Sequence, residues 1–209
     1  MEVLVIKFKC IYADCPWHYN VYSKKGQVKS AENHYPTMKK EDIYALPIGQ
    51  IADDNCALFL WVTFPCLLEG LETVERWGFK YKTLGFCWIK HCKRQTDKLF
   101  WGLGFWTRAN PEICIIATKG RPKRVSKCIH SVVETPIEKH SKKPDIVRDR
   151  IVQLMGDVPR IELFAREKVL ELSKMRLTIR VELVQLSSSG AFAGEFFNPS
   201  FGLKKRGLL

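Results

Sequence analysis

The chain alternates short runs of apolar residues with amphipathic and polar segments. The apolar runs are rich in Val, Ile, Leu, Phe and Cys, a pattern typical of strands buried on both faces of a sheet. These runs cover residues 3–13, 55–63, 79–90, 112–118, 129–133 and 160–165. Each is therefore predicted to form a strand.

Three segments between the strands are predicted to form helices. Residues 38–45 follow Thr37, a candidate N-cap, and end before Pro47, whereas apolar residues recur at helical spacing in 65–77 and 144–155. In the second segment the residues near one face are Leu67, Leu68, Leu71, Val74 and Trp77, and Gly78 follows where a helix can end. Strands that alternate with helices are typical of a mostly parallel sheet with helices on both faces. The fold class is therefore predicted to be α/β.

The last forty residues follow a different pattern. Leu177 and Ile179 alternate with polar residues, which predicts a strand, and a Ser-, Gly- and Phe-rich tail follows it. We therefore divide the chain into a main domain, residues 1–170, and a divergent C-terminal segment, residues 171–209, with one strand and a flexible tail.

The first predicted strand ends at the four residues Asp14, Cys15, Pro16 and Trp17. Ligands of α/β sheets bind at the carboxyl ends of the strands. A carboxylate and a free backbone carbonyl there can accept both N–H bonds of an exocyclic amine. Proline stiffens the corner, and an indole offers a stacking surface for an extracted base. An ordinary Asp-x-Pro turn followed by a core tryptophan is the alternative interpretation of these four residues.

The composition favours a folded protein with a polyanionic partner. Hydrophobic residues make up 46% of the 209 residues, and the net charge is +12. Eight Lys or Arg fall between residues 119 and 143 against two acids, and a second basic cluster over residues 90–108 is interleaved with Phe and Trp. Basic and aromatic residues mixed in a loop suit a nucleic-acid strand. A solvated basic surface is the alternative.

Other functional classes are disfavoured. No apolar run approaches the roughly 18 residues of a membrane span, and residues 1–3 lack the basic start of a signal peptide. The eight cysteines form no C-x-x-C pair, which indicates reduced core thiols and no metal site. We therefore expect a cytoplasmic protein that binds nucleic acid and does not enter a membrane.

Several motifs in a fixed order resemble a known family. They are residues 12–17, residues 34–38, residues 102–112, and residues 140–145 followed by 160–166. Together they resemble the Asp-Pro-Pro-Trp family of adenine amino-group methyltransferases, which includes the catalytic subunit of the messenger-RNA adenosine methyltransferase. The similarity is greater to the short phage and bacterial members. It implies a Rossmann-like class I fold with permuted motif order and S-adenosylmethionine as methyl donor, with no metal.

The resemblance also implies roles for individual residues. Asp14, Cys15, Pro16 and Trp17 would form the catalytic corner, in which Cys15 stands where the family usually has a first proline. The residues that would contact the cosubstrate are Asp14, Lys143, Glu162, Phe164 and Arg166. The candidate nucleic-acid contacts are Lys24, Lys25, Arg108, Asn110, Lys119, Arg121, Lys123 and Arg124.

The leading hypothesis is methylation of the amino group of adenine in DNA, in a bacterial or phage-infected cell. A close alternative is the same reaction on RNA. A third hypothesis is a non-catalytic nucleic-acid-binding protein, because the Gly-Trp and Gly-Asn-Glu/Gln segments that follow Phe-x-Arg in the family are not found after Arg166.

Overall fold

A computed structural model describes residues 7–18, 37–104, 106–139, 141–165 and 176–179. Within these residues, seven strands form one sheet in the order β5-β3-β4-β2-β1-β6-β7. The strands are β1 (Phe8–Ala13), β2 (Ala52–Val62), β3 (Lys80–His91), β4 (Glu112–Lys119), β5 (Val132–Pro136), β6 (Arg160–Leu163) and β7 (Arg176–Ile179). Only β4 runs antiparallel to its neighbours in this part of the chain, so the predicted mostly parallel sheet is confirmed.

The helices cover both faces of the sheet. They are α1 (Lys40–Tyr44), α2 (Ile48–Ile51), α3 (Leu67–Arg76) and α4 (Ile146–Met155). On one face Ile43 of α1 and Val74 of α3 pack in the same core as Leu58 and Leu60 of β2. On the other face, α4 packs in a core with Phe59 and Trp61, the intervening β2 residues. Since successive strand residues point to opposite faces, one uninterrupted apolar strand supplies both cores.

Two elements differ from the sequence prediction. The strand predicted over residues 129–133 is found at Val132–Pro136. Just before the strand, the His130 carbonyl accepts a hydrogen bond from Arg150 Nη1 of α4 at 2.9 Å, and the same atom donates to the carbonyl of Val132, the first strand residue, at 2.5 Å. The short helix α2 follows Pro47 and has too few residues to show a helical period.

The strand predicted in the C-terminal segment pairs with the main sheet. β7 lies parallel to β6, with Ile161 opposite Leu177 and Leu163 opposite Ile179. The sheet therefore extends past residue 170, the predicted domain boundary, while the predicted tail lies outside the described residues. Among the helices that the structure describes, none is long and apolar enough to span a membrane.

The direction of β4 decides which residues meet at each edge of the sheet. We call the edge where β1, β2 and β6 end the carboxyl edge, and the opposite one the amino edge. Because β4 is antiparallel, its first residue, Glu112, lies at the carboxyl edge opposite Trp88, and its last, Lys119, lies at the amino edge opposite Cys56. Each candidate site residue of the sheet can be assigned to one of these two edges.

Candidate active site

The corner after β1 is fixed by backbone hydrogen bonds. The Trp17 N–H donates to the Cys15 carbonyl at 2.9 Å, which closes a tight turn around Pro16. The Pro16 carbonyl in turn accepts the Met38 N–H at 2.9 Å. Proline suits this turn because its φ is already fixed. The turn directs the Asp14 side chain to the carboxyl edge of the sheet.

A chain of alternating charges runs through this edge. Lys143 Nζ lies 2.8 Å from Asp14 Oδ1 and 2.9 Å from Oδ2, and 3.3 Å from Glu112 Oε2. Glu112 Oε1 is 2.5 Å from Lys90 Nζ. The four residues come from the end of β1, the loop before α4, the start of β4 and the end of β3. Two acids and two bases thus share one partly enclosed site.

The charged groups of this site are largely buried, so they interact strongly with one another. Only 8% of the Lys143 side chain is exposed, and its ammonium lies 5.6 Å from the centre of the Trp61 ring. Burial alone would raise the pKa of Glu112, but Lys143 and Lys90 outweigh it and lower that pKa to about 2. Glu112 is therefore a carboxylate at neutral pH and holds Lys143 from the side opposite Asp14.

Sequence reasoning missed Glu112 and Lys90 as site residues. The available signal was a charged residue at the first position of a buried apolar strand, which is costly unless the charge is paired. The strand direction was also needed, because only an antiparallel β4 brings Glu112 to the edge where Asp14 lies.

The indole of Trp17 belongs to the core in this structure. The residue is 6% exposed, and its Nε1–H donates to the Trp61 carbonyl at 3.0 Å. This contact ties the corner to β2. Its ring faces are covered as the structure stands, so stacking of Trp17 on a base remains a prediction that requires a face to be uncovered.

Cys15 is buried beside the carboxylate. It is 3% exposed, and burial, with a further contribution from Asp14, raises the pKa of its thiol well above the usual value. A neutral thiol is a poor nucleophile. The side chain of Cys15 therefore fills space, and its backbone carbonyl is the group available for chemistry.

The end of β6 carries the next predicted site residues. Arg148 of α4 forms a bidentate ion pair with Glu162, in which Nε and Nη2 each lie 2.7 Å from a carboxylate oxygen. Phe164 follows at φ 62°, a strained conformation for an aromatic residue. Glu162 thus lies within β6, opposite Tyr12 of β1, and Phe164 directly follows the strand, whereas Arg166 lies outside the described residues.

The candidate nucleic-acid contacts lie in different places. Arg108 is exposed in the loop that joins β3 to β4 at the carboxyl edge. Asn110 is 7% exposed, and its amide bonds the backbone of Lys90 and the carbonyl of Phe100, so it braces this loop and does not present its side chain for contact. Residues 119–124 lie at the amino edge instead. Lys24 and Lys25 fall outside the described residues.

Comparison with known proteins places this site in a family. The family model MT-A70 matches residues 8–176, which include β1 to β6 and end at the first residue of β7. The chain belongs to the MT-A70 family. The predicted Rossmann-like methyltransferase fold is therefore confirmed, and the protein is a methyltransferase by family.

Individual relatives differ in how much of their length is matched. The chain is 29% identical over 201 residues to the type II methyltransferase M.MunI of Mycoplasma sp, covering 88% of this chain and 83% of that protein. It is 28% identical over 161 residues to the human N(6)-adenosine-methyltransferase catalytic subunit METTL3, covering 77% of this chain and 26% of that protein. It is 27% identical over 159 residues to the N(6)-adenosine-methyltransferase MT-A70-like of Arabidopsis thaliana, covering 76% of this chain and 22% of that protein.

Methyltransferases of the MT-A70 family use S-adenosylmethionine, and the residues at the carboxyl edge fit its amino-acid end. That end carries a carboxylate and an ammonium, and Lys143 and Asp14 offer one cation and one anion that are in contact. Among the described residues, no cluster of His, Cys, Asp or Glu is arranged to hold a metal ion.

Proposed function

We propose that this protein transfers the methyl group of S-adenosylmethionine to the exocyclic amino group of adenine in DNA. The observation that carries the proposal is the Asp14 corner, which lies at the carboxyl edge with Lys143 in direct contact. The MT-A70 match over the same residues supports it. Lys143 and Asp14 would hold the cosubstrate, with Glu162 and Phe164 at the neighbouring strand end.

The chemistry requires two hydrogen-bond acceptors at one nitrogen. The lone pair of the adenine amine is delocalised into the ring, so the nitrogen becomes nucleophilic only when both N–H groups are drawn out of the ring plane. The Asp14 carboxylate accepts one N–H, and the carbonyl of Cys15 or Pro16 accepts the other. Each of these carbonyls already accepts one backbone bond and has a second lone pair available.

Lys143 and Glu112 determine how readily the Asp14 carboxylate can accept a hydrogen bond from the adenine amine. Both Asp14 oxygens lie within 2.9 Å of Lys143 Nζ, so the amine must share or replace that contact. Glu112 holds Lys143 from the other side and keeps the ammonium in place as Asp14 turns to the base. When bound, the cosubstrate supplies an electrophilic methyl group on a sulfonium. Positioning, more than a strong base, then accounts for the rate.

The preference for DNA rests on coverage of the relatives. The match with M.MunI, a type II methyltransferase, spans 83% of that protein, whereas the match with METTL3 spans 26%. The match with most of a type II methyltransferase therefore favours DNA over RNA as the substrate. We expect the reaction to take place in the cytoplasm of a bacterial or phage-infected cell.

Methyl transfer can be measured directly with labelled S-adenosylmethionine. Duplex DNA, single-stranded DNA and RNA of the same sequence are incubated with the protein, and N6-methyladenine is identified by mass spectrometry. Asp14→Asn keeps the side-chain size but loses the charge, and we expect at least about 100-fold less transfer, comparable to the loss of an oriented polar group in other active sites. Asp54→Asn, an exposed aspartate at the amino edge, is the matched control.

The results separate the candidates. Transfer to DNA that survives in Asp54→Asn and is lost in Asp14→Asn supports the proposal, and transfer to RNA alone supports the alternative substrate. No transfer by the wild type, or full transfer by Asp14→Asn, rejects it.

The second candidate is a non-catalytic nucleic-acid-binding protein. Two observations favour it, because Lys143 contacts both oxygens of Asp14 and the Trp17 ring is covered. Calorimetric titration with S-adenosylmethionine distinguishes the two, since a protein without a cosubstrate site gives no binding heat.

A further inference from the structure

The described part of the chain contains two contrasting groups of cations. Lys90, Lys143 and Arg148 are paired with carboxylates inside the fold. In contrast, the residue 119–127 segment, which we call the basic loop, carries four exposed cations. They are Arg121, Lys123, Arg124 and Lys127. In the part of the chain that the structure describes, none of these four forms an ion pair.

The basic loop is held in one conformation at both ends. Gly120 has φ 62°, and a Cβ there would lie 2.0 Å from the Asp54 carbonyl oxygen, so the loop turns closely against β2. The Arg121 N–H donates to Asn55 Oδ1 at 2.8 Å. Farther along, the Val125 N–H donates to the Leu154 carbonyl at 2.8 Å, at the end of α4. A fixed loop loses little conformational entropy when it binds a partner.

The basic loop is too far from Asp14 to touch the same nucleotide. Asp14 follows the end of β1 at the carboxyl edge, and Lys119 pairs with Cys56 near the start of β2. Cys56 and Val62 are six positions apart along the extended strand β2, which corresponds to about 20 Å. At a rise of about 3.4 Å per base pair, that distance is about six base pairs of duplex.

We propose that the basic loop is a second nucleic-acid contact, which binds backbone phosphates about six base pairs from the target adenine. The proposal rests on the nucleic-acid substrate of the proposed function. Contacts to phosphates carry no sequence information, so the loop adds affinity and register, whereas recognition of bases belongs to the carboxyl edge. Stabilisation of the α4 dipole by Arg124 and Lys127 is the structural alternative.

Binding to duplexes of two lengths tests the proposal. One duplex extends about four base pairs on each side of a central adenine and the other about twelve, so only the longer one reaches the basic loop. Fluorescence anisotropy measures Kd over a range of salt concentrations, with no methyl donor present. The test therefore works even if the protein does not methylate DNA.

The variant Lys123→Gln/Arg124→Gln removes two adjacent exposed cations of the basic loop. We expect its Kd for the long duplex to rise at least about tenfold at low salt, and the slope of log K against log salt to fall by about 2. Its Kd for the short duplex and its melting temperature should match the wild type. Lys39→Gln/Lys40→Gln removes two adjacent exposed cations at the start of α1, and it should leave the ratio between the two lengths unchanged.

Equal losses on both duplexes, or no loss on either, would overturn the proposal. A fall in melting temperature with no change in the length ratio would show instead that the loop stabilises α4. The same pair of lengths made as RNA shows which phosphodiester backbone the loop prefers, because A-form and B-form duplexes space their phosphates differently.

Discussion

The most informative single substitution is Glu112→Gln. The change keeps the shape of the side chain and removes its charge, so Lys143 and Lys90 lose the carboxylate that lies between them. The pKa of Glu112 is lowered from 4.5 to about 2, because the two lysines outweigh the effect of burial. By linkage this shift corresponds to about 3 kcal/mol of folding free energy.

The sign of the pH dependence follows from the direction of that shift. A carboxyl whose pKa is lowered by folding stabilises the protein above its unfolded pKa, near 4.5, and the stabilisation is lost as the pH falls toward 2. Protonated Glu112 and glutamine are nearly equivalent. The free energy of unfolding should therefore differ by about 3 kcal/mol between wild type and Glu112→Gln at pH 7, and by roughly half of that at pH 3.

Urea unfolding followed by tryptophan fluorescence, at several pH values and constant ionic strength, measures this difference. Glu75→Gln is the matched control, since Glu75 is exposed on α3 and should change stability by less than about 0.5 kcal/mol at every pH. A difference for Glu112→Gln that stays constant from pH 7 to pH 3 would refute the reasoning. The stability would then come from the packing of the side chain and not from its charge.

Two further substitutions test residues that support the site. Arg148→Met leaves the partly buried Glu162 carboxylate without its bidentate partner, and thermal unfolding should show a loss of about 3 kcal/mol. Asn110→Ala removes three hydrogen bonds to the backbone at Lys90 and Phe100, so limited proteolysis should cut the β3–β4 loop faster, with a loss of about 2 kcal/mol.

The strands could be predicted from the sequence because the sheet is buried on both faces. In β2, seven consecutive residues from Cys56 to Val62 are buried, and such a run has no other stable placement in a domain of this size. The position of β5 was harder to predict, because it depends on side chains of α4. Arg150 holds the carbonyls at the start of that segment, and no apolar pattern encodes this contact.

The candidate site could be predicted only in part. The family resemblance implied that Asp14 and Lys143 share one site although they are 129 residues apart, and in the structure the two side chains are in contact. Glu112 was not predicted, because the apolar pattern of a strand does not state its direction. In a fully parallel sheet Glu112 would lie at the amino edge, far from Asp14.

The same geometry changes the meaning of the net charge of +12. The net charge counts every lysine and arginine equally, and clustering in the sequence alone would assign Lys143 and Arg124 to one basic surface. The structure separates them, because Lys143 is buried between two carboxylates while Arg124 is exposed at the amino edge. A cation releases counterions from nucleic acid only when it binds a phosphate. A lysine that is buried and paired with carboxylates binds no phosphate, so it releases none. The salt dependence of binding should therefore follow the exposed loops alone, and a substitution at Lys143 should affect catalysis and stability without changing the salt slope.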